Sequence, residues 1–390
     1  MAVLTDKQRE AGWTIVKLGD IATVVTGQTP SKKFPEHWGE KGEIPFLTPK
    51  DQTFGIRSVD TERYISKNYI DIYKKRVVPA GSVALTCIGS SLGKISVTRH
   101  VTLTNQQINS IVSDESKANN LYIYYYLIFS YDSLESLAGG TVMPIVNKTS
   151  LEGMEIPLPP LEEQERIAGI LGSLDDKIEA NTRLIQTLLD TADSIFQKFY
   201  SECELSESTY ASLEVYGGGT PSTKNETYWG GDIHWLTPTD VTSLGSPMLF
   251  DTARKLTEDG LNACSSKLHP AGSIMMTSRA TIGAFAINQY PAATNQGFIV
   301  AVPQREEERW WIYHHMKKDV PEMINSANGT TFLEISRRTF KGLPYGSLSD
   351  ENLDRFHAVV NPLYELVKSS EQENLQLAET RDALIKRLIG

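Results

Sequence analysis

The sequence predicts an α+β protein built from two copies of one domain, each followed by a long helix, with the two helices pairing as an antiparallel coiled coil. Three observations predict this fold class. Long segments of the 390-residue chain recur in a fixed order, short β-rich runs fill most of each copy, and each copy ends in a heptad pattern. We expect the domains at residues 1–158 and 204–346 and the helices at 159–203 and 347–390.

The duplication consists of five pairs of segments at a nearly constant offset of about 190 residues. Five matches in one order indicate a repeat rather than a local similarity. The pairs are TPSKKFPEHWGEKGEIPFLTPKD (29–51) with TPSTKNETYWGGDIHWLTPTD (220–240), PAGSVALTCIGSSLGKISV (79–97) with PAGSIMMTSRATIGAFAI (270–287), TNQQ (104–107) with TNQG (294–297), AGGTVMPIVNKTSLEGM (138–154) with ANGTTFLEISRRTFKGL (327–343), and EEQERIAGIL from Glu162 with ENLDRFHAVV from Glu351.

Within the first copy, the runs EIPFLT, GSVALTCI and KISVT predict short strands, because they are β-rich and bounded by Gly, Pro and Ser. The stretch NLYIYYYLIFSYDSLESL is too long for a strand and apolar on more than one face, so it predicts a buried helix. Its counterpart in the second copy is ERWWIYHHMKKDVPEMI. A central sheet with flanking helices follows for each copy.

The end of each copy shows apolar residues at alternating steps of four and three, which is the pattern of a coiled-coil seam. Forty residues of helix would make a rod of roughly 60 Å. The first seam is Ile167, Leu171, Leu174, Ile178, Asn181, Ile185, Leu188, Ala192, Ile195 and Phe199. The second is Phe356, Val360, Leu363, Val367, Ser370, Asn374, Leu377, Arg381, Leu384 and Leu388.

Polar residues interrupt both seams and bear on how the helices pair. They either fix the register and orientation of the pair or face water where it frays. We expect an antiparallel pair with a pseudo-two-fold axis near Ile185 and its equivalent, which would place Asn181 near Arg381. A parallel pair would place Asn181 beside Ser370 instead.

The composition is that of a globular protein that carries no membrane span or secretion signal. The three cysteines, Cys87, Cys203 and Cys264, lie far apart and read as reduced thiols, so we expect a cytoplasmic location. The net charge of −10 argues against a chain that coats nucleic acid nonspecifically. Most of the acidic excess lies in the two segments predicted as helices, so any DNA binding depends on local basic clusters.

The chain lacks the sequence motifs of common catalytic and metal sites. It has no phosphate loop, dinucleotide fingerprint, HExxH or GxSxG pattern, and no Cys/His spacing for zinc. The pair His314–His315 is predicted to lie on a helix surface rather than to bind a metal. Asp51 and Asp240 each follow a Thr-Pro turn and are predicted to cap local backbone. We therefore predict no catalytic residues, no metal and no cofactor in this chain.

Two such domains, each ending in a long coiled-coil helix, resemble the specificity subunits of type I restriction–modification systems, and the resemblance covers essentially the whole chain. It is carried in the first copy by Gly27, Thr29, Pro30, Trp38, Ile44, Pro45, Phe46, PAGSVAL to Gly93, Thr104–Gln106 and the helix start PLPPLEEQERIA. In the second copy it is carried by Thr220, Pro221, Tyr228, Trp229, Gly230, Asp232, Ile233 and Trp235. The second helix start, SLSDENLDRF, departs from the pattern because it lacks Pro-Pro-Leu.

The resemblance implies that each copy is a target recognition domain that reads one half of a split DNA sequence. The paired helices would then act as the spacer between the half-sites. Two methyltransferase subunits would supply the chemistry with S-adenosylmethionine, and a restriction and motor subunit would join them. No membrane partner is expected.

If the two copies read different half-sites, the loops in which they differ should contact the DNA. Arg279 is predicted to contact guanine because it lies in an otherwise neutral loop, and the glutamine amides suit adenine. Trp38 and Trp229 are predicted to be core residues that hold a loop rather than stacking platforms. The candidates are Thr29, Ser31, Lys32, Lys33, Lys50, Gln52, Arg57, Lys94, Gln106 and Gln107 in the first copy, and Thr220, Ser222, Lys224, Thr239, Arg279, Thr281, Gln296, Arg337 and Arg338 in the second.

Three other functions remain open from the sequence. The chain also suits a recognition subunit whose partner fuses methylase and nuclease in one polypeptide. A protein-binding scaffold with two pockets on a rigid rod is favoured slightly by the net charge of −10. A hydrolase with unrecognised catalytic residues is the third.

Overall fold

The computed structural model describes residues 3–137, 145–328 and 333–390. The repeat match at 138–144 and 329–332 therefore lies outside the described residues. The chain forms two compact units: unit 1 comprises Met1–Glu179 with Asn374–Gly390, and unit 2 comprises Ala180–Glu373. None of the described helices combines the length and the apolarity that a membrane crossing requires.

Twelve α-helices lie in the described part of the chain. Two of them are far longer than the rest and belong partly to each unit. They are α1 (Asp6–Glu10), α2 (Leu18–Ile21), α3 (Asn120–Phe129), α4 (Tyr131–Leu137), α5 (Lys148–Glu152), α6 (Leu161–Glu202), α7 (Pro238–Thr242), α8 (Glu258–Asn262), α9 (Glu308–Lys318), α10 (Val320–Asn325), α11 (Arg337–Lys341) and α12 (Asp350–Leu388).

Unit 1 contains eleven strands within its described residues, in three sheets of orders β1-β11, β2-β10-β7-β8 and β3-β5-β4-β9-β6. The predicted runs EIPFLT, GSVALTCI and KISVT form the strands numbered 4, 7 and 8. The bounds are β1 (Thr14–Lys17), β2 (Ala22–Thr26), β3 (Trp38–Gly39), β4 (Ile44–Leu47), β5 (Arg63–Ile65), β6 (Val77–Val78), β7 (Val83–Thr86), β8 (Ile95–Val97), β9 (Thr102–Thr104), β10 (Ile108–Ser113) and β11 (Glu155–Leu158).

Among its described residues, unit 2 has a two-stranded sheet β12-β21, a five-stranded central sheet β13-β20-β17-β18-β15 and a three-stranded peripheral sheet β16-β14-β19. The corresponding central and peripheral sheets of unit 1 have four and five strands. In each unit one pair of strands in the peripheral sheet is parallel, β4 with β9 and β14 with β19. The bounds are β12 (Ser206–Thr209), β13 (Glu214–Gly217), β14 (Trp229–Leu236), β15 (Met248–Leu249), β16 (Arg254–Leu256), β17 (Ile274–Thr277), β18 (Phe285–Asn288), β19 (Ala292–Thr294), β20 (Phe298–Val302) and β21 (Pro344–Ser347).

The predicted buried helix of each copy is present, but each is broken into two. In unit 1 the break falls at Ser130, between α3 and α4, and in unit 2 it falls at Asp319, between α9 and α10. The residues from Tyr122 to Leu127 are all buried in the core of unit 1. In α9 the residues from Trp310 to Met316 are buried as well, so both helices pack on more than one face.

The long helices α6 and α12 pack against each other with antiparallel direction. In unit 1 the first part of α6 shares a core with the end of α12, through Ile167 and Leu171 on one side and Ile385 on the other. In unit 2 the last part of α6 meets the start of α12, where the rings of Phe199 and Phe356 lie 5.4 Å apart. The predicted antiparallel pairing is confirmed.

The predicted seam residues of both helices are buried or half-buried, and none of them is exposed. This holds for the polar members, since Asn181, Ser370 and Arg381 are at most 5% exposed. They therefore do not face water. The buried and half-buried residues predicted to form the pair include Leu174, Ile178, Asn181, Ile185, Leu188, Ile195, Leu363, Val367, Leu377, Arg381 and Leu384.

The register expected for the polar seam residues was wrong. Arg381 donates to Asp175 at 2.8 Å instead of lying beside Asn181, and Asn181 donates to Glu373 at 2.8 Å. The physical reason is charge: a buried guanidinium needs a carboxylate rather than an amide as its partner. Asp175 lies next to the seam position Leu174, where the heptad pattern gives no signal for it.

Candidate nucleic-acid interface

A close approach of two backbones joins the loops that carry many of the candidate residues. We call residues 28–33 and 219–224 the TPS loops and residues 104–107 and 294–297 the TNQ loops. A Cβ atom on Gly27 would lie 2.1 Å from the Asn105 carbonyl oxygen, and one on Gly218 would lie 2.1 Å from that of Asn295. The two loops can touch only because both positions are glycine.

The same exposed hydrogen bond then links the two loops in each unit. Thr29 donates its hydroxyl to the Gln106 amide oxygen at 2.6 Å, and Thr220 donates to Gln296 at 2.5 Å. All four side chains are exposed. Each glutamine therefore keeps its amide N–H donors toward solvent, in a position held by a neighbouring loop.

The TNQ loops are tied in turn to the loop after β7 or β17, which we call the hairpin loop (residues 87–94 and 278–284). Cys87 donates its N–H to the Gln107 carbonyl at 2.8 Å, and Ser278 donates to Gly297 at 2.8 Å. Three loops in each unit therefore form one hydrogen-bonded cluster. Backbone bonds hold it, so its side chains can differ between the units without changing its frame.

Asp51 and Asp240 cap local backbone in equivalent turns, as predicted. Asp51 accepts from the Thr48 N–H at 2.7 Å, and Asp240 accepts from the Thr237 N–H at 2.7 Å. Each carboxylate also binds a second segment, through the N–H of Glu62 at 3.1 Å or of Ala253 at 2.9 Å. These aspartates are structural.

Most of the candidate residues are exposed. Lys94, Gln107 and Arg279 are half-buried, and Lys94 donates to the Pro49 carbonyl at 3.1 Å. The exposed ones are Thr29, Ser31, Lys32, Lys33, Lys50, Gln106, Thr220, Ser222, Lys224, Thr239, Thr281, Gln296, Arg337 and Arg338.

Gln52 is a correction, because it lies in the interior of unit 1 with 1% of its surface exposed. Its amide donates to the Ala84 carbonyl and the Ser96 hydroxyl, both at 2.8 Å, and accepts from Thr86 at 2.6 Å. A side chain with all these bonds satisfied inside the sheet is not available to a base.

Arg57 is a second correction. Its guanidinium side chain is 10% exposed and binds the α6 carboxylates of Asp176 and Glu179 as well as the Gly172 carbonyl. Burial alone would lower the pKa of Arg57, but the two carboxylates raise it above its ordinary value. Arg57 fastens its loop to α6 and does not face solvent.

Arg279 is half-exposed and already has a carboxylate partner. Its Nη2 lies 2.8 Å from Glu334 Oε1. The next residue, Ala280, has φ 59°, whereas Gly89 holds the equivalent position in unit 1 with φ 73°. A residue with a Cβ is strained in this region, and such strain tends to accumulate at functional sites.

An arginine stacked on a tryptophan recurs in both units and was missed at the sequence level. The Arg63 guanidinium lies 3.3 Å from the Trp38 ring centre, and the Arg254 guanidinium lies 3.4 Å from that of Trp229. Both tryptophans are half-buried, so they are not full core residues. The available signal was the repeated pattern Asp-Thr-x-Arg, at 60–63 and 251–254.

His314 and His315 are buried, so their predicted surface location was wrong. His314 is 1% exposed; its ring lies 2.9 Å from both the Asp193 carboxylate and the Tyr364 hydroxyl. Burial lowers the pKa of His314. His315 contacts Asp319 at 3.0 Å. Among the residues that the structure describes, no group of three or more His, Cys, Asp and Glu side chains could hold a metal ion.

Comparison with known proteins agrees with the duplicated fold. A family model described as the type I restriction modification DNA specificity domain matches residues 10–190 and 213–344. The type I restriction enzyme MjaIX specificity subunit of Methanocaldococcus jannaschii is 26% identical over 417 residues, covering 97% of this chain and 92% of that protein. The type I restriction enzyme HindI specificity subunit of Haemophilus influenzae is 24% identical over 337 residues, covering 66% and 72%.

A solved structure shares the fold over nearly the whole length. The S subunit of a type I restriction-modification system from M. genitalium superposes with a TM-score of 0.61 at 16% identity, covering 97% of this chain and 96% of that one. The family model alone matches more than half of the chain. The protein therefore belongs to the family of type I restriction–modification DNA specificity subunits.

Proposed function

We propose that this chain is the non-catalytic subunit that reads a split DNA target, one half-site per recognition domain. The domains would comprise residues 1–158 and 204–346, with helices at 159–203 and 347–390 setting the spacing. The chain would direct two methyltransferase subunits, and a restriction and motor subunit, to that target. S-adenosylmethionine would bind to the methyltransferase, and the complex would work in the cytoplasm.

The observation that carries this proposal is the loop cluster that is built twice on one backbone frame. The bonds that shape it recur in both units, from the close approach at Gly27 and Gly218 to the hydroxyl bonds of Thr29 and Thr220. The side chains of its hairpin loop differ between the units, CIGSSLGK at 87–94 and SRATIGA at 278–284, and Lys32 of the first TPS loop is replaced by Thr223 in the second. A protein that reads two different half-sites needs this combination, because a common frame places both readers alike and only the contacts to base edges carry sequence information.

The charges of the loops suit an anionic ligand despite the net charge of −10. In unit 1 the TPS loop exposes Lys32 and Lys33, and in unit 2 it exposes Lys224. The Ile335 N–H donates to the Ser278 carbonyl, so the segment before α11 lies beside the hairpin loop of unit 2. The helix α11 begins with Arg337, which is exposed. Such local clusters attract phosphates at short range, even when the whole chain is acidic.

The helices support the spacing role through their length and their pairing. At about 1.5 Å per residue, the 42 residues of α6 span roughly 60 Å. Half-sites that lie one DNA turn apart have centres about 34 Å from each other. The length of such an antiparallel helix pair is therefore greater than the distance between the centres of adjacent half-sites.

The test is to produce the chain with the methyltransferase subunits of its own system and map the methylated bases. We expect a split sequence with one fixed spacer. Synthetic duplexes that keep both half-sites but lengthen the spacer should not be methylated. A contiguous target, or methylation that tolerates any spacer, would contradict the proposal.

Two single variants then assign the half-sites. We expect Lys32→Ala to relax or abolish one half-site, because unit 2 has Thr223 at the equivalent position. Arg279→Ala should do so for the other half-site, where unit 1 has Ile88, and each variant should leave the second half-site intact. Arg355→Ala is the matched control, since Arg355 is an exposed arginine on α12. Unchanged methylation with Arg279→Ala would remove Arg279 from the interface.

A further inference from the structure

The two units share an exposed arginine that lies flat on a tryptophan outside the loop cluster. Arg63 begins β5, and Arg254 begins β16. Both are exposed, and each guanidinium lies within 3.4 Å of the centre of its tryptophan ring. The second aromatic ring beneath is also equivalent, Phe46 in unit 1 and Trp235 in unit 2, each edge-on to the first.

The backbone around each arginine is built in the same way. The Thr61 hydroxyl donates to the Arg63 carbonyl at 3.1 Å, and the Thr252 hydroxyl donates to the Arg254 carbonyl at 2.8 Å. The threonine of the repeated Asp-Thr-x-Arg pattern therefore holds the backbone of each arginine in the same position. The loops just before it differ in length and sequence, so the arrangement persists where its surroundings diverge.

Stacking holds the arginine side chain in place without engaging its N–H donors. A guanidinium on an aromatic face contacts it through its flat side, and its N–H donors remain in the plane at the edge. Among the described residues, neither Arg63 nor Arg254 has a carboxylate within salt-bridge distance or an acceptor for its side chain. Each therefore presents a fork of donors that matches two oxygens of a phosphate.

The stack of unit 2 lies next to the proposed interface. In unit 2 the Trp229 indole N–H donates to the Ser222 carbonyl at 3.3 Å, and Trp235 donates to the Gly219 carbonyl at 3.1 Å. Both acceptors belong to the TPS loop. The tryptophan that carries Arg254 therefore also supports the loop that carries Lys224.

A residue that both units share cannot distinguish two different half-sites. A shared, exposed hydrogen-bond donor therefore suits the phosphate backbone, which is the same in every DNA sequence. We propose that Arg63 and Arg254 are equivalent phosphate-binding residues, each holding the DNA backbone beside one half-site. This inference rests on the proposed function. The residues act as positioning residues, since a phosphate contact fixes orientation and carries no sequence information.

The test measures DNA affinity against salt for the full-length chain assembled with its methyltransferase subunits. The variants are Arg63→Gln, Arg254→Gln and the double variant. Controls that lose the same charge elsewhere are Arg9→Gln, on α1, and Arg355→Gln, on α12, both exposed. Each affinity is measured on the mapped target and on an unrelated duplex, and thermal unfolding is followed in parallel.

We expect each arginine variant to weaken binding to both duplexes by a similar factor, roughly tenfold at low salt. The slope of log affinity against log salt should fall by about 0.9 for each arginine lost. The unfolding temperature should fall by no more than a few degrees, because only an exposed cation–π contact is lost, and the methylated sequence should not change. A merely structural role for the stack would lower the unfolding temperature without lowering the salt slope. The controls should leave the slope unchanged.

Two results would overturn the inference. One is a slope and affinity equal to those of the controls; the other is a change at one base position in the methylated sequence, which would make the arginine a base reader. Failure of the proposed function looks different. In that case the unmodified complex itself would show no salt-dependent binding to DNA.

Discussion

Arg381 of α12 donates to Asp175 of α6 across 2.8 Å in the interior of unit 1, and their side chains are 5% and 3% exposed. The pair is closed by further bonds. The Tyr125 hydroxyl donates to the other Asp175 oxygen at 2.6 Å, and Arg381 also donates to the Gly55 carbonyl at 2.9 Å. The pair therefore connects both long helices to α3 and to the loop before β5.

Removing one partner of this pair should destabilise the protein strongly. Arg381→Met leaves the Asp175 carboxylate buried without a counter-charge, at a cost of about 3–5 kcal/mol. Replacing both residues, as Asp175→Leu with Arg381→Met, should recover much of that loss because no charge remains buried. Urea unfolding of the three proteins measures the free energies. Arg387→Met, at an exposed position of α12, is the control. Unfolding of Arg381→Met at the unmodified midpoint would contradict the prediction.

The sequence predicted features that depend on repetition or on local pattern. The duplication, the α6–α12 seam and the caps at Asp51 and Asp240 are of this kind, since each follows from spacing along the chain. It did not predict contacts made across the fold. Nothing local marks Gln52 as buried, because its partners Ala84 and Ser96 lie far along the chain.

Buried ionisable residues were missed for the same reason. His314 looks like a surface residue on a helical pattern, and only the packing of α6 and α12 around α9 encloses it. Asp175 stands beside the seam rather than in it, so the heptad gave no reason to pair it with Arg381. The stacked Arg63 and Arg254 were visible as a repeated Asp-Thr-x-Arg, but only the structure shows the tryptophans beneath them.

Each close-approach glycine should control one half-site. Gly27→Ala places a Cβ about 2 Å from the Asn105 carbonyl oxygen, so the TPS and TNQ loops of unit 1 must separate. We expect loss of methylation specificity at one half-site, and the reciprocal loss with Gly218→Ala. Base-resolution mapping of methylation measures both. Gly169→Ala is the control, because this α6 position has open space around it and alanine favours a helix by about 1 kcal/mol. Intact specificity in both glycine variants would mean that the loop contact is dispensable.

Releasing Arg279 should strengthen DNA binding by the assembled complex. Glu334→Gln removes the carboxylate 2.8 Å from Arg279 and one negative charge from the interface. Because both side chains are more than two-fifths exposed, the ion pair itself contributes little to stability. We expect roughly two- to fivefold tighter binding, since an exposed charge interaction of up to about 1 kcal/mol is at stake. In Arg279→Ala the gain from Glu334→Gln should shrink. An equal gain with and without Arg279 would show that Glu334 acts only through its own charge.

Acid should destabilise unit 2 through a buried histidine. His269 is 2% exposed, and burial, with a smaller effect of Lys267, lowers its pKa from 6.5 to about 4. Between these values the unfolded chain binds a proton that the folded protein excludes, so the free energy of unfolding falls as pH falls from 6.5 toward 4. Above pH 7 the residue is neutral in both states and has no such effect. From pH 7 to pH 5 the loss amounts to about 2 kcal/mol.

The variant His269→Phe isolates this contribution, because it removes the titrating group and keeps an aromatic ring beside Tyr216. Urea unfolding at pH 7 and pH 5 should show a smaller pH-dependent loss than in the unmodified protein. His100→Phe is the control, since His100 is exposed. The buried His314 shifts in the same direction, so some acid sensitivity should persist in His269→Phe. Equal pH dependence in His269→Phe and the unmodified protein would show that His269 is protonated in the folded state.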